Sequence, residues 1–209
     1  MAAFDVVCMA ASMGGVVAYR DLVRLLPETS PAAIVLVQHR TLRDRDAFVD
    51  ALRYRSVLPV RLLSEGDRLS PGVVHVVPAR SSAVLTAADG VRLRPVNDYR
   101  SADPLFTSAA AAFGPRVLAA VLTGRLDDAA LGVRHVKGAG GRVLAQEPAT
   151  AAASGMPSAA IATGCVDFVL PLPVLAHALV SLVMAPGAAN MMRVALPSWA
   201  TAIPPVAVG

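Results

Sequence analysis

Ser12 stands where an apolar run, Phe4 to Ala10, meets the glycine pair Gly14-Gly15 and a stretch with apolar residues at helical spacing, Val16 to Leu26. A hydroxyl on such a strand-to-helix turn is exposed at the sheet edge. Small residues around it let the backbone bend, and the outward N–H groups of the first helical turn can stabilise an oxyanion or a phosphate. A serine becomes nucleophilic at neutral pH only with a base beside it. An imidazole can serve, and a carboxylate then fixes the imidazole's tautomer and steadies its charge. The chain offers His39 just past a second apolar run, Ala33 to Val37, and the adjacent carboxylates Asp127 and Asp128 past a third, Arg116 to Thr123. Spacing alone does not choose between the two aspartates. His75, His135 and His177 fall inside expected strands or helices, where packing or solvation accounts for them.

The elements that must position these groups read as an alternation of strand and helix. Two continuous apolar strands separated by a helical stretch form a βαβ unit, whose crossover makes the strands parallel. Ser12, His39 and Asp128 then all lie just beyond carboxyl ends, where open α/β sheets bind ligands. Arg43 to Ser56 alternates charges around an apolar stripe, as an ordinary solvated helix does. From Val60 to Pro95 short β runs are punctuated by Glu65-Gly66-Asp67, Ser70-Pro71-Gly72 and Asp89-Gly90, which predicts a β insertion. Within it, Ser82–Ala87 and Val91–Pro95 form a hairpin about Asp89-Gly90. Leu105 to Phe113 is an expected helix, the loop Gly124-Arg125-Leu126-Asp127-Asp128 leads into another that runs to about Gly138, and Arg142 to Gln146 and Asp167 to Leu170 are expected strands. Ser154-Gly155-Met156-Pro157 opens a short helix, and Val174 to Met184 is an amphipathic terminal helix. Residues 187–209 read as a Pro-, Ala- and Met-rich tail with Trp199 as a docking residue.

Composition narrows the class. A chain of 209 residues with 55% hydrophobic content can bury one substantial core, so one domain is expected. Mean hydropathy of +0.57 is high, yet charged residues, Pro and Gly break every apolar run before it reaches spanning length. The expectation is a soluble protein without membrane insertion. No basic segment and signal-peptide core open the chain, which predicts a cytoplasmic location. Cys8 and Cys165 make neither a disulfide framework nor a metal cluster and read as buried thiols. The net charge of +4 comes from scattered arginines. It favours an acidic partner, but no basic run with interleaved aromatics points to nucleic acid.

The motifs Ala11-Ser12-Met13-Gly14-Gly15, Gln38-His39, Glu65-Gly66-Asp67 with Pro71-Gly72, and Ser101-Ala102-Asp103-Pro104-Leu105-Phe106 occur in a telling order, followed by Leu122-Thr123-Gly124 with Asp128 and Gly132, and by Gly155-Met156-Pro157. Together they resemble the catalytic domain of the chemotaxis protein-glutamate methylesterase family. The resemblance implies a doubly wound, mostly parallel α/β sheet with helices on both faces and a β-hairpin insertion. It implies a Ser12, His39 and Asp128 triad, with Met13, Gly14, Gly124, Arg125 and Met156 near the oxyanion and substrate. The implied activity is hydrolysis of glutamate methyl esters on the cytoplasmic helices of chemoreceptors, with deamidation of glutamines in many members, and no metal or cofactor. Residues 1–186 would be the catalytic domain. The family's usual receiver domain is not expected in this chain, which would be either a stand-alone enzyme or a detached catalytic fragment, with a separate receiver or kinase protein as a candidate partner.

Where the family has Gly-Ala-Ser-Thr-Gly-Gly, this chain has Ala10-Ala11-Ser12-Met13-Gly14-Gly15. Where the family has Thr-Gly-Met-Gly-x-Asp-Gly, it has Thr123-Gly124-Arg125-Leu126-Asp127-Asp128-Ala129. A side chain at either lost glycine strains the loop if φ is positive there. Arg125 obstructs the crevice, binds a substrate carboxylate, or is a solvated loop arginine. Two other readings stand beside the esterase: a weak or inactive homologue acting as a regulatory binding module, and a nucleotide-binding module using the Gly14-Gly15 turn. The second is disfavoured because neither G-x-G-x-x-G nor G-x-x-x-x-G-K-[ST] is present.

Overall fold

The structure is a computed structural model that describes residues 4–40, 45–86, 90–96, 99–185 and 187. The tail with Trp199, the first residues of the Arg43 to Ser56 stretch and most of the Asp89-Gly90 turn lie outside the described residues. Strand β1 (Val6–Ala11) leads into helix α1 (Gly15–Val23), β2 (Ala33–Gln38) and α2 (Arg45–Arg53). The short strands β3 (Val60–Leu62) and β4 (Val74–Val76) follow, then β5 (Ser81–Leu85) and β6 (Val91–Pro95). Helix α3 (Ala102–Phe113), β7 (Val117–Val121), α4 (Ala130–Gly138) and β8 (Arg142–Gln146) come next. The described fold ends with α5 (Gly155–Ala162), β9 (Phe168–Leu170) and α6 (Leu172–Met184).

Among the described residues seven strands form one sheet in the order β3-β4-β2-β1-β7-β8-β9, and each neighbouring pair is parallel. The unbroken apolar runs of β1 and β2 follow from burial on both faces of a parallel sheet. Side chains alternate along β1. Val7, Met9 and Ala11 join a core with Tyr19 and Leu22 of α1, Leu52 of α2 and Leu179 of α6. Val6, Cys8 and Ala10 join a second core with Phe106 of α3, Val133 of α4, Ala160 of α5 and the hairpin residues Ala83 and Val91. Helices therefore cover both faces, and the fold is the expected doubly wound one. Both cysteines are free and buried.

The expectation for Val60 to Pro95 needs correction. Among the described residues only β5 and β6 form a separate antiparallel pair, in register from Ser81↔Pro95 to Leu85↔Val91. Strands β3 and β4 belong to the main sheet, with β4 paired to β2 through Ile34↔Val74 and Leu36↔Val76. A three-residue strand carries too little periodicity to reveal its partner. Its place is set by pairing with β2, far away in sequence.

At the end of the sheet opposite the strand carboxyl termini, Lys137 Nζ donates to Asp167 Oδ1, with both side chains almost fully buried. Val143 N–H donates to the other oxygen of Asp167 at 2.7 Å. Removing one partner leaves a buried charge uncompensated, so Lys137→Met is expected to lower unfolding free energy by about 3 kcal/mol. Urea unfolding measures this. The double variant Lys137→Met/Asp167→Asn should lose less than the single one, because it leaves no buried charge behind.

Candidate active site

Strands β2, β1 and β7 are neighbours, so the residues that leave their carboxyl ends converge. The chain passes from β1 to β2 in one direction and from β7 to β8 in the other, which makes the gap between β1 and β7 a topological switch point. Pairing continues past the strands: Ser12 N–H donates to Thr123 O at 2.9 Å and His39 N–H donates to Ala11 O at 3.1 Å. Ser12 is thereby fixed between the two loops that carry His39 and Asp128.

His39 and Asp128 meet, with Nε2 2.8 Å from Oδ2 and the carboxylate fully buried. The N–H groups of Ser101 and Ala102 also donate to Oδ2, at 2.9 and 2.8 Å, while those of Asp103 and Ala129 donate to Oδ1, at 3.0 and 2.9 Å. Asp128 therefore sits on the N-terminus of α3, where unsatisfied N–H groups and the helix dipole favour an anion. Burial alone would raise its pKa. The donors from His39 and from the Ala102 and Asp103 backbone outweigh that, and the carboxyl is held below its ordinary value. An ionised Asp128 only accepts, so Nε2 carries the proton of neutral His39 and Nδ1 presents a lone pair. Among the described residues Ser12 Oγ makes no hydrogen bond, so the structure joins His39 to Asp128 but does not close a Ser12–His39 contact.

Asp127 goes elsewhere. It is half-exposed and receives Arg100 Nη2 at 3.1 Å and Tyr99 OH at 3.0 Å. Arg100 Nη1 also donates to Asp103 Oδ2 at 3.1 Å, and Gly132 N–H donates to Asp103 Oδ1 at 2.8 Å. Asp103 thus caps the first turn of α4 while Asp128, just before α4, caps α3. Burial raises the pKa of Asp103, with the nearby Asp128 charge adding to it.

Gln38 and Thr123 were not singled out as site residues, yet they tie the loops together. Gln38 Nε2 donates to Ser12 O at 2.8 Å and to His39 O at 3.0 Å. Thr123 Oγ1 donates to Met13 O at 2.8 Å and accepts from Ala153 N–H at 3.0 Å. The signal available in sequence was a polar residue at the very end of each buried run. Of the expected oxyanion donors, the N–H groups of Met13, Gly14 and Arg125 have no acceptor among the described residues. That of Gly124 is excluded, because it donates to Ala153 O at 2.9 Å. Gly124 serves by its lack of a side chain: a Cβ there would lie 2.2 Å from Met156 Sδ and 3.0 Å from Ser12 Cβ. Met156, buried at the start of α5, thus backs the loop beside Ser12.

Both lost glycines fall at positive φ, with Leu126 at 65° and Ala129 at 81°. The loop adopts the shape a glycine would choose, and the side chains bear the strain. Leu126 is 57% exposed, so little packing offsets that strain, whereas Ala129 is fully buried in the core. Leu126→Gly is expected to raise unfolding free energy by about 1 kcal/mol. Ala129→Gly should gain less, because it also removes a buried methyl. Chemical denaturation of the two variants side by side checks the ranking.

The remaining histidines lie apart. His75, on β4, accepts Ser70 N–H at 3.1 Å and is held below its usual pKa by burial; burial lowers His135, on α4, in the same way. His177 is exposed on α6. Among the described residues no three His, Cys, Asp or Glu side chains gather to hold a metal, and no helix is long and apolar enough to cross a membrane.

A parallel sheet wound on both faces, with a histidine–carboxylate pair at its switch point beside a serine turn, defines a doubly wound α/β domain with its polar cluster at the carboxyl ends of the strands. Residues 7–179 match the model of the CheB methylesterase family, and the chain belongs to that family. It is 41% identical over 171 residues to protein-glutamate methylesterase/protein-glutamine glutaminase 3 of Anaeromyxobacter dehalogenans, covering 79% of this chain and 50% of the relative. It is 37% identical to the protein-glutamate methylesterase/protein-glutamine glutaminase of Moorella thermoacetica, covering 88% and 45%. The chain spans about half the length of the curated relatives it matches. The crystal structure of the Thermotoga maritima CheB methylesterase catalytic domain superposes with a TM-score of 0.80 at 29% identity, covering 86% of this chain and 99% of that one.

Proposed function

We propose that residues 1–186 are the catalytic unit of a serine esterase that hydrolyses glutamate γ-methyl esters on proteins, with Ser12 as nucleophile, His39 as base and acid, and Asp128 as its orienter. The observation that carries this reading is the buried, ionised Asp128 holding His39 Nε2 at the switch point where Ser12 emerges. His39 Nδ1 takes the Ser12 proton as Oγ attacks the ester carbonyl, and the developing oxyanion meets the N–H groups of Met13, Gly14 and Arg125. The tetrahedral species collapses as His39 protonates the departing oxygen, which leaves as methanol, and the glutamyl group remains on Oγ. Water then attacks that acyl group, giving its proton to His39, and the product glutamate departs as Ser12 regains its proton. The open Ser12–His39 contact agrees with catalytic hydrogen bonds that tighten only when substrate binds. Replacing the methoxy group by an amide makes the same route a deamidation that releases ammonia.

The substrate class follows from relatives named protein-glutamate methylesterase/protein-glutamine glutaminase. For this chain it implies the cytoplasmic helices of chemoreceptors and a cytoplasmic site of action. None of the observations favours a binding module without turnover. The test is a serine-reactive phosphonate together with methylated receptor membranes. A phosphonyl adduct on Ser12, mapped by mass spectrometry, and methanol release that the phosphonate abolishes are expected. Methanol release that persists in fully labelled protein would refute the assignment.

A further inference from the structure

The tip of the loop beside Ser12 carries two side chains that the chemical step does not use. Arg125 is exposed and, among the described residues, has no hydrogen-bond or ion-pair partner. Leu126 next to it is more than half exposed and sits at φ 65°, a conformation that L side chains adopt at a cost. Folding gains little from either residue. The tip is nonetheless fixed in place. Gly155 packs so tightly on it that a Cβ there would lie 2.6 Å from Leu126 N and 3.0 Å from Arg125 C, and Met156 N–H donates to Gly124 O at 2.9 Å. On the near side Gly124 presses against Ser12. A closely packed, strained projection with one solvated cation and one exposed apolar group therefore borders the place where an ester must bind. Met13, also exposed, borders the same place from the serine turn.

We propose that Arg125 and Leu126 form a two-residue specificity element that selects glutamyl esters flanked by a carboxylate and an apolar side chain. The proposal rests on the esterase reading above and adds what the enzyme reads around the ester. The chemistry of the two groups fixes the class. A guanidinium carried on the loop next to Ser12 pairs with a carboxylate near the ester on the substrate segment. The net charge of +4 favours the same acidic partner at longer range. Leu126 covers an apolar neighbour on that segment. An exposed pair of this kind is worth about threefold to fivefold in selectivity and weakens with salt.

Three helical peptides test it, each with one glutamate γ-methyl ester: one flanked by Glu and Leu, one with Gln in place of the Glu, one with Ala in place of the Leu. Selectivity ratios of kcat/KM between peptides, taken within each variant, cancel any effect of a substitution on the shared chemical step. The wild type is expected to prefer the Glu/Leu peptide over the Gln peptide about threefold to fivefold at low salt, and less at high salt. Arg125→Met should bring that ratio close to one and remove its salt dependence. Leu126→Gly should reduce the preference for Leu over Ala. Ratios that are the same in the variants and the wild type overturn the proposal, as does Arg125→Met speeding all three peptides equally, which would make Arg125 an obstruction. The same peptides titrated by fluorescence anisotropy into Ser12→Ala and Ser12→Ala/Arg125→Met need no turnover. Absence of any methanol release by the wild type would refute the esterase reading, while the anisotropy ratios still decide the specificity element.

Discussion

Ser12→Ala and His39→Ala are each expected to lower methanol release from methylated receptor membranes by about three or more orders of magnitude, with little change in folding. The size follows from the way the groups act together. Without Oγ no acyl intermediate forms. Without the imidazole, Oγ keeps its proton at neutral pH and the leaving oxygen finds no acid. The double variant should be hardly worse than either single one, because the two residues serve one step. Neither change should unfold the domain, since Ser12 and His39 are held chiefly through main-chain bonds to Thr123, Ala11 and Gln38 that survive truncation. Near wild-type release by a folded Ser12→Ala protein would exclude the mechanism.

Asp128→Asn should be nearly as severe in turnover and, unlike the other two, should also weaken the fold, by about 3 kcal/mol. Asp128 receives five N–H donors, three at Oδ2 and two at Oδ1. An asparagine amide presents its NH2 group to one of these sets whichever way it turns, so at least two buried donors face another donor. Asp127→Asn keeps the hydrogen bonds of Asp128 and loses only an exposed pair with Arg100, so its effect on turnover should be several-fold at most. The reverse ranking would mean that the wrong carboxylate serves His39. The variants should differ in acid as well. The folded pKa of Asp128 lies below its unfolded value, so its contribution is present above about pH 4 and is lost as pH falls through the folded pKa. The stability gap between wild type and Asp128→Asn should narrow below pH 4. Asp103 acts with the opposite sign: its raised pKa means that acid relieves a cost, which blunts the wild-type slope. Urea unfolding at a series of pH values measures both.

Much of this architecture is local and was therefore legible in the amino-acid sequence. The apolar runs of β1, β2, β7 and β8 are continuous because both sheet faces are covered, and each ends where a polar or glycine residue begins. That pattern by itself put Ser12 and His39 beyond the carboxyl ends of parallel strands, and the family resemblance implied that the sheet is doubly wound. The same resemblance marked Leu126 and Ala129 as positions where a side chain replaces the family's glycine. Only the tertiary structure decided what depends on groups far apart in the chain. It assigned β3 and β4 to the main sheet rather than to an insertion, since a three-residue strand is defined by its partner. It supplied the reason that Asp128, the carboxylate the resemblance implies, faces His39 while Asp127 does not: the N-terminus of α3 offers donors to the first, and Arg100 and Tyr99 take the second. It turned Gly124 N–H away to Ala153 and, among the described residues, left those of Met13, Gly14 and Arg125 without acceptors. Residue type and spacing state which groups a segment carries, whereas the partner of each polar group is chosen by geometry across tens of residues, where burial makes an unsatisfied choice costly.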